Sequence, residues 1–356
     1  MLLECEAMRA RGHCLLLACE LNTPLALEAR KRGFAVHELR YRRAFDFAAV
    51  RRVRRLIAQE CAEIVNTHSS KDAWVAGLAA LGTRAKVVRT RHLSIPVKPN
   101  ARNRLLYSKL THRIVTTGEA LREQLVRENG FAPERIFSVP TGVDLSAFDP
   151  ATVNPSTLCA DYGLPAESQL IGVVAMLRAM KGHAVLIEAV PRIVTEIPSA
   201  RFLFFGEAPP ESSLPAQWNA RASELGVKDH LQFCGYRDDI PNVLAALDCV
   251  VLPSTRDEGV PQSMTQALAM QRPVVATDVG ATSEVVRNEE TGLLVPPNDA
   301  QALAEAIVRV LRHSDEADTR ARAGRALVEL EFSAGRMAER MEAAYAELLG
   351  SARVAA

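Results

Sequence analysis

Twelve short apolar runs, separated by segments with helical periodicity, constrain this chain more than any other feature. In the first half they fall at 14–18, 35–39, 63–67, 86–90, 113–117 and 136–139. In the second half they fall at 170–175, 200–205, 231–234, 249–253, 274–277 and 292–295. Helical patterns fill the gaps of the first half, at 2–11, 25–32, 47–62, 73–80, 103–110 and 119–129. Strands alternating with helices build parallel sheets, because a parallel pair needs a crossover long enough to hold a helix. At 356 residues the chain exceeds one small domain, and two sheets of comparable size are expected. Pro, Asp, Asn and Ser accumulate between Gly142 and Pro165, which marks the joint. The expected organisation is α/β, with domains over 1–150 and 151–332. A tail over 333–356 follows, a charged amphipathic helix for which Ser333 is an N-cap candidate. No short repeat or low-complexity tract is present.

The segment from Asp257 through Glu258, Gly259, Val260, Pro261, Gln262 and Ser263 to Gln266 lies between two of those apolar runs. It reads as strand, loop, helix, strand, with the acid at the carboxyl end of the first strand, where open parallel sheets bind ligands. The helix that follows aims unpaired N–H groups at the loop, which suits a phosphate or sugar hydroxyls. Glu258 and Gln266 are spaced for roughly one helix face. A lone Glu at such a place also suits a surface helix cap; the neighbouring segments argue for a ligand site. Val173–Gly182 is again strand, loop, helix, and its loop carries Arg178 and Lys181, cations suited to a diphosphate. Gly206 and Gly235 end two further strands in Gly turns, the second followed by Tyr236 and Arg237.

Residues 257–270 resemble the donor-sugar signature of the family-4 retaining glycosyltransferases (glycosyl transferases group 1), in particular those of bacterial cell-envelope and lipopolysaccharide synthesis. In that signature two glutamates are separated by seven residues; here they are Glu258 and, in the second position, Gln266. The resemblance implies two Rossmann-like domains facing across a cleft, the glycosyltransferase-B architecture. It implies that Glu258 contacts hydroxyls of the transferred sugar, that Gly259, Val260, Gln262 and Ser263 line the donor, and that Gln266 takes the ribose. Lys181 stands at the family's lysine position, Met176 replaces its arginine, and Arg178 follows two residues later. Gly206, Tyr236 and Arg237 fall in loops similar to those around the nucleotide. His92 matches a histidine that reaches the reacting sugar, so His92, Lys181 and Glu258 are the catalytic candidates. His68, Arg91 and Lys98 are the acceptor-side candidates; a lone His68 also reads as an ordinary polar residue. In the family the opening helix follows a strand and a Gly-rich turn, so an amino terminus recorded short is expected.

The net charge of +1 hides an asymmetry. Residues 1–150 hold 25 Lys+Arg and 15 Asp+Glu, whereas residues 151–356 hold 18 and 27. The basic excess gathers at Arg40, Arg42, Arg43, Arg51, Arg52, Arg54 and Arg55 among Tyr41, Phe45 and Phe47, and again from Arg89 to Lys109. Such a face attracts an anionic acceptor or membrane surface, or is simply a solvated helix. No nucleic-acid module accompanies it, so nucleic acid is not an expected partner. No apolar run is long enough to span a membrane, and the first residues are acidic where a signal peptide is basic. Seven cysteines without Cys-x-x-Cys spacing read as reduced, mostly buried thiols of a cytoplasmic protein. No metal-ligand spacing occurs, and no cofactor is expected. Together these features predict transfer of a sugar from a nucleotide-diphosphate sugar, UDP first and GDP second. The expected acceptor is a phosphorylated glycolipid or saccharide. A catalytically silent nucleotide- or glycan-binding relative is the alternative.

Overall fold

The structure is a computed structural model that describes residues 1–40, 46–92 and 97–350. Tyr41, Arg42, Arg43 and Phe45 of the first basic cluster, and Ser94, Ile95 and Pro96 of the Pro-rich loop, lie outside the described residues. The chain divides into two compact units, Met1–Thr141 with Ala334–Ala356, and Gly142–Ser333. The division falls ahead of residue 150 because Val143 bridges Ser333 and its N–H bonds the Phe332 carbonyl, which ties it into the second unit.

In the first unit the strands are β1 (Leu16–Cys19), β2 (Ala35–Glu38), β3 (Ile64–Thr67), β4 (Lys86–Arg91), β5 (Arg113–Thr116) and β6 (Ile136–Ser138). They form two parallel pieces, β1-β2 and β3-β4-β5-β6, rather than one sheet matching that of the second unit. β1 and β3 share no ladder; the helix Leu2–Ala10 spans the two pieces instead. Its Leu2 and Cys5 pack beside Leu17, Ala29 and Phe34, while Met8 joins Val88, Val115 and Val139. The helix Ala334–Leu349 supplies Met337, Ala338 and Met341 to this second cluster. Its Glu342 pairs with Arg11 and with His13. Helix starts follow the sequence: Asp46, Asn100 and Thr23 cap with their side chains, and Ser69 with Asp72 forms a capping box.

The second unit contains β7 (Gln169–Val174), β8 (Ala200–Phe205), β9 (Leu231–Gly235), β10 (Cys249–Leu252), β11 (Val274–Thr277) and β12 (Leu293–Val295). Their order is β12-β11-β10-β7-β8-β9, all parallel. The chain therefore winds one way from β7 to β9 and the other way from β10 to β12. The reversal leaves a crevice beyond the carboxyl ends of the central pair, β7 and β10. β10 and β11 are buried throughout, as expected of strands covered on both faces. Aromatic rings fill part of this core: Phe202 and Phe204 are fully buried, and Trp218 nearly so. Each such ring contributes about 2–3 kcal/mol of burial. The cysteines differ from expectation. All seven are free, but only Cys249 is buried, and Cys14 and Cys61 are exposed because they follow helix ends rather than sitting in strands.

Candidate functional site

The switch point of the second unit brings together the two residues that sequence reasoning placed in separate motifs. After β7 the chain makes a 3-10 turn, Ala179–Lys181, then passes through Gly182 into the helix His183–Glu196. After β10 it runs through Ser254 and Glu258 into the helix Gln262–Ala269. Lys181 Nζ meets Glu258 Oε1 at 2.5 Å, and Ser254 Oγ donates to the same oxygen at 2.5 Å. The Glu258 side chain is only 8% exposed and that of Lys181 24%, so the charges attract each other across a poorly hydrated gap.

The two loops are braced by close backbone approach. Gly182 has φ +68, and a Cβ there would lie 1.7 Å from the Pro253 carbonyl oxygen. Gly280 has φ +58, and a Cβ there would lie 1.9 Å from the Glu258 carbonyl, which accepts from Ala281 N–H. Thr255 N–H bonds the Met180 carbonyl at 2.9 Å, and Thr277 Oγ1 donates to the Ser254 carbonyl. Sequence reasoning missed Ser254 and Thr277, whose side chains lie in apolar runs and have no spacing signature of their own.

Glu258 lies in the loop ahead of the helix, so its helical relation to Gln266 does not hold; the helix begins at Gln262. Gln266 is half-buried one turn into that helix, and its side-chain amide makes no hydrogen bond among the described residues. The backbone N–H groups of Gly259, Val260, Gln262 and Ser263 likewise have no acceptor there, an array open to an anion. Arg178 is exposed, and its guanidinium makes no hydrogen bond or ion pair among the described residues. Met176 is exposed beside it. Gly206 turns against Ala175, where a Cβ would stand 2.1 Å from the carbonyl oxygen. Tyr236 is 71% exposed. The Arg237 fork is bound by both Asp239 oxygens at 2.7 Å, and it reaches Asp161 at 3.3 Å. These pairs hold its loop and use three of the five guanidinium N–H groups.

Below the Lys181 turn lies His183, fully buried against Trp218 at 4.8 Å and Phe204 at 5.6 Å between ring centroids. Neither ring nitrogen has a hydrogen bond of good geometry among the described residues, although the Arg178 backbone lies close enough to favour the charged form slightly. Burial pushes its pKa down to about 4, so the ring is neutral.

In the first unit His68 follows β3 and His92 follows β4. His68 Nδ1 and His92 Nε2 are 2.9 Å apart, with the rings nearly coplanar. Burial, then the neighbouring imidazole, pushes His68 down to about 3, and burial also lowers His92. The bond therefore joins two neutral rings, one nitrogen protonated and the other not. Asp72 fixes the His68 end by accepting its backbone N–H at 2.9 Å. Arg91 donates to the Tyr107 hydroxyl at 2.6 Å, and Lys98 is exposed. Among the described residues no group of three His, Cys, Asp or Glu side chains is placed to hold a metal ion.

Residues 2–147 match the family described as Glycosyltransferase Family 4, and residues 168–313 match Glycosyl transferases group 1. The chain is similar to the UDP-Gal:alpha-D-GlcNAc-diphosphoundecaprenol alpha-1,3-galactosyltransferase of Escherichia coli. The two are 29% identical over 267 residues, 72% of this chain and 68% of that relative. It is also 30% identical over 243 residues to the 2-deoxystreptamine glucosyltransferase of Streptomyces kanamyceticus, 67% of this chain and 62% of that one. Among solved structures, a glycosyltransferase from Rickettsia africae superposes with a TM-score of 0.89 at 24% identity, covering 98% of this chain and 95% of that one. HepE of Anabaena, in complex with UDP-glucose, superposes at 0.83 and 19%, covering 97% and 96%. These likenesses establish the glycosyltransferase-B fold, two Rossmann-like α/β domains.

Proposed function

This chain belongs to the family-4, group 1 glycosyltransferases, which are nucleotide-sugar-dependent, and we propose that it moves a sugar from a UDP-sugar to a hydroxyl of a phosphorylated cell-envelope acceptor, with retention of anomeric configuration. The observation that carries this reading is the Lys181–Glu258 pair at the switch point, beside four unpaired backbone N–H groups. In the donor complex Lys181 turns from Glu258 to the diphosphate, and its ammonium stabilises the charge that grows as the bond to the anomeric carbon breaks. Arg178 adds a second cation at the rim. Glu258, freed from Lys181 but still held by Ser254, accepts hydroxyls of the sugar. The N–H groups of Gly259, Val260, Gln262 and Ser263 take the remaining phosphate and sugar oxygens, and Gln266 takes the ribose. The acceptor oxygen forms its bond to the anomeric carbon on the face the diphosphate leaves. Its proton passes to the departing phosphate oxygen. His92, neutral and held by His68, orients the acceptor hydroxyl. With cations in the loops, the reaction runs without a divalent metal.

UDP is favoured over GDP by the names of the Escherichia coli and Anabaena relatives, and a lipid-linked acceptor by the first of these. No described helix is long and apolar enough to cross a membrane. Contact with an anionic cytoplasmic membrane face would use the helix Phe47–Gln59, where Phe47 is 75% exposed near Arg51, Arg52 and Arg55. The binding-only reading is favoured by two positions, Gln266 and the exposed Met176. Incubation with radiolabelled UDP-sugars and lipid-diphosphate acceptors decides between them. Product from wild type and none from Lys181→Ala or Glu258→Ala supports transfer. Nucleotide binding without turnover across the panel supports the silent relative.

A further inference from the structure

Directly below the turn that presents Lys181, the second unit buries a polar ring for which the donor chemistry has no use. His183 opens the helix His183–Glu196, and no part of it is exposed. Trp218 stacks on the imidazole with 22° between the ring planes, and Phe204 packs against it tilted by 53°. A phenylalanine would fill the same slot without the cost of drying two nitrogens, so packing alone leaves the imidazole unexplained. Neither nitrogen closes a hydrogen bond of good geometry among the described residues. The group within reach is the Arg178 backbone. Because it favours the charged form of the ring, it acts through its carbonyl, the acceptor of the peptide group.

The loop that carries this carbonyl is anchored on either side of it. Leu177 N–H donates to the Glu207 carbonyl at 3.0 Å. Further on, the Met180 carbonyl accepts from Thr255 N–H at 2.9 Å, and Gly182 lies against the Pro253 carbonyl. Between these anchors Arg178 and Ala179 are exposed, and their backbone bonds only within residues 176–182 among the described residues. One of those bonds runs from Lys181 N–H to the Arg178 carbonyl at 3.0 Å. The part of the loop with most freedom to shift is thus tied to the residue whose side chain Glu258 holds.

We propose that His183 is a positioning residue for the donor, its ring N–H closing onto the Arg178 carbonyl when Lys181 leaves Glu258 for the diphosphate. The carbonyl has a second lone pair for this bond while the first keeps the Lys181 N–H. In the free protein the dry, unpaired N–H raises the energy of the arrangement; in the complex it is satisfied, and the difference adds to donor affinity. The ring acts through the turn above it. This rests on the reading of Lys181 given above and names the residue that couples its turn to the core.

The test is calorimetric titration of the full chain with UDP at neutral pH, paired with urea unfolding. His183→Phe keeps a ring and removes both nitrogens. It is expected to weaken UDP binding about five-fold, the equilibrium worth of one ordinary net hydrogen bond, while its unfolding midpoint stays at or above that of wild type. A ring that only fills space would give equal UDP affinity, or a joint loss of affinity and stability, and either result overturns the proposal. In a Lys181→Ala background the ammonium that draws the turn to the phosphate is gone, so adding His183→Phe is expected to weaken UDP binding by less than about two-fold. A full five-fold loss there would make the ring independent of Lys181 and overturn the proposal. If Lys181→Ala weakens UDP binding and His183→Phe alone does not, the coupling fails and the donor reading stands. If Lys181→Ala leaves UDP affinity unchanged, the donor reading fails first, and this inference with it.

Discussion

Both units place polar residues at the carboxyl ends of parallel strands, but they handle charge in opposite ways. In the second unit a buried acid and a cation satisfy each other, and two glycines with backbone against backbone fix the loops that carry them. In the first unit two arginines share one phenol, two neutral histidines share one proton position, and the local acid is spent on backbone N–H groups. The second arrangement is closed until a ligand competes for its members. A crevice whose groups already pair holds its geometry in advance, which favours selective binding of a charged donor. A cation-rich edge attracts anions over a longer range and responds to salt.

The largest effect expected from breaking the closed arrangement comes from Lys181. Lys181→Ala should lower transfer by about 10²–10³-fold, the usual cost of removing one group aimed at a growing charge, as read by kcat with a saturating UDP-sugar. It also strands Glu258, so urea unfolding should show a loss of about 1–3 kcal/mol. Glu258→Gln at the same time should recover part of that stability but no activity. Gly182→Ala tests the bracing without touching a charge. Its Cβ collides with the Pro253 carbonyl, so the Lys181 turn must move, and a kcat loss of ten-fold or more with about 2–4 kcal/mol of destabilisation is expected.

Ser254→Ala should act more mildly. It removes one hydrogen bond to Glu258, worth about 1 kcal/mol, and should raise the UDP-sugar KM several-fold. Ser254→Thr, if its hydroxyl reaches the same oxygen, should restore the wild-type value.

A pH titration sharpens the comparison from below. His183 is neutral when folded, with its pKa near 4 against about 6.5 when unfolded. Between those values the unfolded chain binds the extra proton, so stability is full above about 6.5 and falls as pH drops toward 4, by up to about 3 kcal/mol from this group. Denaturant curves at several pH values should show this slope, and His183→Phe should flatten it. A slope unchanged by that substitution would mean the ring is not the buried neutral group described. The smallest effect is expected from Phe47→Ala: less than about 0.5 kcal/mol of stability, but weaker retention on anionic vesicles at low salt.

The fold was largely legible because strands built of short aliphatic runs carry their own signature, and each observed strand coincides closely with one. The separation of β1-β2 from β3–β6 was not, since strand pairing is a long-range choice that local pattern does not encode. The meeting of Lys181 and Glu258 was foreshadowed by two strand–loop–helix motifs, each ending at a ligand-binding edge. Ser254 was invisible because a serine after a buried strand has many uses, and only the register of β10 aims it at Glu258. The ion pair of Arg237 with Asp161 was likewise invisible, because Asp161 lies far away in sequence and only the fold brings it there. Arg89 and Arg91 were read as part of a basic face, with Arg91 also an acceptor-side candidate by resemblance. That β4 turns them inward over Tyr107 follows from sheet geometry alone.

The central claim is that the Lys181–Glu258 pair opens to take a diphosphate. A crystal structure of the UDP complex tests it most directly. The account predicts Lys181 Nζ on a phosphate oxygen, away from its 2.5 Å contact with Glu258, and phosphate oxygens on the N–H groups of residues 259–263. UDP bound elsewhere, with the Lys181–Glu258 contact intact, would contradict it.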